Sequence, residues 1–219
     1  MIRLASLCLA ALTLGACTTT VGGLPVRHTP SDPVQCPDLN GAYQAQGEIL
    51  DRQGKPVADP DLHALLARSL AVQDLSRSPE IWRDAPPSEV ALSRQDAVWR
   101  IVSVNGHGAS AEGRLPLLNG GADPESRDPS YAADLLSRTN GCARGKLWIT
   151  TESVHTQFES YTAHSRFGVL TATPEGLFLD LWTERRQIGL LPWTFVSRSV
   201  ARYRFARISS TASPAAARP

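Results

Sequence analysis

Phe167-Gly168-Val169-Leu170-Thr171-Ala172-Thr173-Pro174-Glu175-Gly176-Leu177-Phe178-Leu179-Asp180-Leu181-Trp182 decides the fold of this 219-residue chain. Side chains along a strand alternate between its two faces, so Leu177, Leu179 and Leu181 share one face and Asp180 points the other way, toward solvent. Residues 167–173 form a second apolar run. Between the two runs, Pro174 and Gly176 stand where a tight turn wants them. The stretch therefore predicts an antiparallel hairpin.

The same pattern extends outward in both directions. Residues 200–208 alternate, with Ala201, Tyr203 and Phe205 set against Arg202 and Arg204. Residues 189–198 read as a strand that Pro192 demotes to an edge or a bulge. Upstream, residues 97–104, a favoured Asn105-Gly106 turn and residues 107–115 predict another hairpin. Residues 146–151 and 41–49 are further strands. Two short helices interrupt them. In the first, Asp59 caps, Pro60 takes the first helical position, and Leu62, Leu65, Leu66 and Leu70 form one stripe. Asp128-Pro129 opens the second, and Asn140-Gly141 ends it. Residues 76–88, broken by Pro79, Pro86 and Pro87, read as loop. The prediction is a mainly β protein: an antiparallel meander curled into a barrel-like or sandwich body with about two short helices.

The amino end carries a different message. Met1-Ile2-Arg3 is a short positive region, residues 4–13 are apolar and uncharged, and Leu14-Gly15-Ala16-Cys17 closes the segment with small residues. That order is the pattern of a secretory signal. The apolar run gives way to Thr18-Thr19-Thr20 before the roughly 20 residues that a membrane span requires. Leu-Gly-Ala-Cys also resembles the lipobox of bacterial lipoproteins. The resemblance implies cleavage before Cys17, a diacylglycerol on its thiol and acylation of the new amino terminus. Two or more acyl chains anchor stably, where one binds only marginally. In that family an aspartate after the cysteine marks inner-membrane retention. Thr18 stands there instead, which implies the outer membrane.

Cleavage leaves about 200 residues, one medium domain by length. Residues 18–35, rich in Thr, Gly and Pro, read as a flexible tether behind Cys17, and residues 209–219 as a disordered tail. The folded domain is expected over 36–208. Cys8 leaves with the signal and Cys17 takes the lipid, so Cys36 and Cys142 remain as a pair in an oxidising compartment. A disulfide there closes a loop of about a hundred residues, for which chain entropy sets an upper bound of roughly 4–5 kcal/mol. Lys plus Arg is 22 against 21 for Asp plus Glu, and this balance argues against a nucleic-acid binder.

Cys36-Pro37-Asp38-Leu39-Asn40-Gly41-Ala42-Tyr43 resembles the segment that opens the folded domain of uncharacterised proteobacterial outer-membrane lipoproteins, a group that brings no activity with it. Gly41-Ala42-Tyr43 is also faintly similar to the first strand of lipocalins, with tyrosine in place of their tryptophan. Physically, Gly41 lets the chain turn into the strand, and Tyr43 plugs one end of the core.

Catalytic and ligand motifs are incomplete. Around Ser110, Gly108-Ala109-Ser110-Ala111-Glu112-Gly113 is one residue too long for a nucleophile elbow. Residues 141–147 miss a phosphate loop in spacing and in the residue after the lysine. Of His28, His63, His107, His155 and His164, no two have metal-ligand spacing, although His155 and His164 can approach across a turn. Neither a metal nor a cofactor is implied. Trp99, Trp148, Trp182 and Trp193 fall at strand positions and read as core.

One charge asymmetry stands out. Residues 183–208 hold six arginines against Glu184 alone, while residues 32–96 hold eleven acids against six bases. Arg185, Arg186, Arg202 and Arg204 are the candidate anion-binding patch, for an anionic envelope polymer or an acidic envelope protein. The alternative is that they pair with the acidic amino-terminal half. The sequence thus points first to an anchored binding or scaffolding domain, next to a barrel-like carrier of a small apolar ligand, and last to a hydrolase of envelope polymers.

Overall fold

The computed structural model describes residues 20–21, 24–25, 32–54, 58–75, 82, 85–118, 135–157, 160–188 and 194–208. The expected signal peptide, Cys17 and the 209–219 tail lie outside them. Within the expected tether, β1 (Thr20–Val21) pairs with β2 (Leu24–Pro25). A 3-10 turn, Pro33–Gln35, precedes Cys36 and is capped by Asp32, whose carboxylate accepts from Val34 N. Ordered structure of the body thus begins slightly before Cys36. There follow β3 (Gly41–Gln44), β4 (Glu48–Gln53) and α1 (Leu62–Ala64), which widens into a π-helical turn at Leu65–Ser69. The chain continues with β5 (Pro87–Gln95), β6 (Val98–Asn105), β7 (Ser110–Pro116) and β8 (Leu135–Ala143). It ends with β9 (Lys146–Gln157), β10 (Ser160–Thr173), β11 (Gly176–Ile188) and β12 (Thr194–Ala206).

Two antiparallel sheets result. One has six strands in the order β4-β12-β11-β10-β9-β8, the other four in the order β3-β5-β6-β7. They do not close into a barrel, so the body is sandwich-like. The hairpin that decides the fold is present, with Thr173 opposite Gly176 and Leu170 opposite Leu179. Residues 41–49, expected as one strand, cross from one sheet to the other. Gly47 lies in that crossing, and a Cβ there would overlap the Arg204 carbonyl and the Phe205 ring.

The core lies between the sheets. Leu147, Ile149, Leu170, Leu177, Leu179, Leu181, Tyr203 and Phe205 come from the larger sheet, and Val90, Leu92, Trp99, Ile101 and Leu115 from the smaller. The predicted leucine stripe wedges between them: Leu62, Leu65, Leu66 and Leu70 are all buried. Each fully buried leucine contributes roughly 1.5–3 kcal/mol, so this short helix is held by packing, not by its own length. Leu70 fits because Gly168 opposite it has no side chain; a Cβ there would lie 2.6 Å from Leu70 Cδ2. With the interior filled by these side chains, the carrier reading gains no support from it.

Several local expectations are corrected. The helix starts two residues late, because Asp61 and not Asp59 caps it, its Oδ1 accepting from Ala64 N at 3.0 Å. The described part of the second expected helix is strand β8, while residues 119–134 lie outside the described set. Residues 194–206 form one strand where two were expected, and residues 189–193, with Pro192 and Trp193, lie outside the described set. The loop assigned to 76–88 gives way to β5 at Pro87. The Asn105-Gly106 turn is wider than two residues, because the Asn105 carboxamide oxygen accepts from both His107 N and Ala109 N. Asp180, expected in solvent, is half-buried beside Arg202. Burial raises its carboxyl above the usual range, which Arg202 and Lys146 partly offset.

Candidate functional site

The point where the chain enters the body is fixed four ways. Cys36 and Cys142 form a disulfide. Asp32 N donates to Cys142 O, Gly145 N to Gln35 O, and Arg144 N to the Gln35 side chain, each at 2.9–3.0 Å. All of these contacts fall on Cys142, at the end of β8, and on the Arg144–Gly145 turn that follows it. Any pull on the preceding chain is therefore delivered to the large sheet at one end.

The other end of that sheet has a different character. β9, β10, β11 and β12 are 12 to 14 residues long. At about 3.3 Å per residue, their far ends lie roughly 36 Å from the β8–β9 turn beside Cys142. Tyr161 pairs with Ile188 there, and Phe195 and Val196 follow on β12 opposite Gln187 and Arg186. All four are exposed large hydrophobic residues; by strand register Tyr161, Ile188 and Val196 share the outer face there, while Phe195, the most exposed at 71%, faces the other way. A single exposed apolar residue is ordinary, whereas a cluster marks an interaction surface. Reading the sequence as core-forming strands missed this cluster. No apolar run marks it, because residues 160–166 and 183–187 are mostly polar.

The candidate arginines sort by strand register. Arg186, Arg202 and Arg204 share the outer face of the large sheet, joined there by Arg198, while Arg185 faces the other way. Acids interleave with them. Arg202 Nε is 3.4 Å from Asp180 Oδ1, and its guanidinium lies 5.4 Å from the centre of the Phe178 ring. Arg204 pairs with Glu48. Glu184 accepts from Arg198 at 2.7 Å and from Arg186 at 3.0 Å. The Arg198 hydrogen bond, followed by that from Arg186, holds the Glu184 carboxyl below the usual carboxylate range. Exposed pairs of this kind contribute about 0–1 kcal/mol each. They hold a charge pattern in place more than they stabilise the fold.

A Ser–His contact exists that the sequence did not reveal, because the two residues lie forty positions apart. His63 Nδ1 is 2.9 Å from Ser103 Oγ. Both are buried, His63 at 8% exposure and Ser103 at 0%. Trp82 packs edge-on against the imidazole at 5.1 Å. Burial lowers the His63 pKa, and Asp61 only partly restores it. With no open face toward a substrate, the pair is a satisfied polar contact inside the core. Ser110 lies exposed on β7. His155 and His164 sit diagonally across β9 and β10. Among the described residues, no three His, Cys, Asp or Glu side chains gather as a metal site. Tyr43 is buried as expected, donating to Leu39 O and accepting from Arg207, both at 3.0 Å.

Comparison of the chain with protein-family models and with curated proteins finds no match.

Proposed function

We propose that this chain is a lipid-anchored domain of the bacterial envelope that binds a partner without turning over a substrate. Its anchor is Cys17, on the outer membrane, and its working surface is the far end of the large sheet. The observation that carries the binding role is the exposed outer-face cluster of Tyr161, Ile188 and Val196 opposite the stapled Cys36–Cys142 end. A tether pulling at one end leaves the other end free to meet a partner. The apolar cluster supplies area, and Arg186 and Arg198 beside it supply orientation, as arginine and aromatic residues do at protein interfaces. The partner fitting this surface is an envelope protein with an apolar patch rimmed by acids.

Photo-crosslinking in cells tests this. A crosslinking side chain at Val196 or Tyr161 is expected to give discrete protein adducts, and one at exposed Leu50 on β4 to give none. Absence of adducts from both distal positions, or the same adducts from position 50, contradicts the assignment.

A further inference from the structure

A cleft opens on the core-facing side of the large sheet, where α1 meets it. Its volume is about 630 Å³, and Asp59, Asp61, Arg68, Ser69 and Arg166 line it. Arg166 lies on β10 in phase with Gly168 and Leu170, the core-facing positions, so its side chain projects toward the helix and not toward solvent. Its cross-strand neighbours are Thr151 and Thr183. Both hydroxyls are committed: Thr151 donates to Ser69 O at 3.1 Å, and Thr183 shares a 2.7 Å hydrogen bond with Ser199.

Among the described residues, nothing accepts a hydrogen bond from the Arg166 guanidinium and no acid pairs with it; burial alone perturbs it. A half-buried guanidinium is normally matched, because removing its five donors from water without acceptors is costly. Arg68, on the rim, likewise has no partner among the described residues. Asp61 is fully engaged, one oxygen accepting from Ala64 N and the other from Gln46 Nε2. Among the described residues, the Asp59 carboxylate has no such partner.

We propose that this cleft binds a small zwitterion of the amino-acid type, its carboxylate on Arg166 with Arg68 at the rim and its ammonium group on Asp59. A carboxylate matches the planar fork of a guanidinium with two parallel hydrogen bonds. A phosphate dianion is disfavoured because Asp59 and Asp61 line the same space. The site is independent of the membrane anchor and of the distal cluster, so it stands or falls separately from them.

Calorimetric titration of the full mature chain in detergent with glycine, acetate, ethylamine and inorganic phosphate tests it. Glycine is expected to bind saturably, acetate at least tenfold more weakly, and ethylamine and phosphate not measurably. Arg166→Gln is expected to weaken glycine at least tenfold, with an unchanged circular dichroism spectrum. Asp59→Asn, at an exposed position that the fold does not depend on, is expected to abolish the preference for glycine over acetate. Absence of saturable glycine binding, phosphate binding tighter than glycine, or Asp59→Asn leaving the preference intact overturns the proposal.

Discussion

Asn140 on β8 reaches across the open seam to Pro116 at the end of β7. Its amide nitrogen donates to Pro116 O at 2.9 Å, and its carbonyl oxygen accepts from Leu118 N at the same distance. One buried side chain thus joins the two sheets at β7 and β8, which no ladder pairs among the described residues.

Asn140→Leu removes the partner of both part-buried backbone groups. The expected loss is about 2–3 kcal/mol, read as a lower urea midpoint with an unchanged slope. A change within 0.5 kcal/mol of zero contradicts this account of the seam.

His63 gives stability a pH dependence. An unfolded histidine titrates near pH 6.5, and burial holds His63 below that. In the window just under 6.5 the unfolded chain takes up a proton that the folded chain refuses. Stability is therefore full above about pH 6.5, falls as pH drops through that value, and levels off below the folded pKa. His63→Gln is expected to flatten this part of the curve in thermal unfolding between pH 5 and 8. A His63→Gln curve as steep as the parent's contradicts the assignment.

The disulfide spans a sequence separation of 106, so its loss releases a long loop. Cys36→Ser with Cys142→Ser is expected to cost up to about 4–5 kcal/mol, by chain entropy. The measurement is guanidinium unfolding, with and without reductant, of the parent and the double variant. Reductant should shift only the parent.

Gly47→Ala forces a Cβ into the backbone of β12 at Arg204 and the ring of Phe205. Rigid backbone on one side leaves no room to relax, so the expected outcome is a loss of several kcal/mol or failure to fold. Gly106→Ala, which meets nothing within 4 Å, is the matched control and should be near neutral.

Strands whose two faces differ were readable in the sequence. Leu177, Leu179 and Leu181 alternate with polar or aromatic partners, and the leucine stripe from Leu62 to Leu70 has helical spacing. Where both faces are covered the contrast fades: Trp148, Phe167 and Val169 are buried on the outer face of the large sheet, opposite its core. β8 was misread because Asn140-Gly141 looks like a helix stop, while its role is set by Pro116, far away in sequence. Arg185 and Arg186 look like one patch in the sequence, yet adjacent strand residues face opposite ways. Arg166 is legible in the same way, because two residues before Gly168 on the hairpin strand it is in phase with the core.

The most direct test of the central claim is the intact mass of the chain purified from bacterial membranes. The account predicts an amino terminus at Cys17 carrying a diacylglyceryl thioether and an amide-linked acyl chain, with the remaining two cysteines short of two hydrogens. A chain that retains residues 1–16, or one with a free, unmodified Cys17 thiol, contradicts it.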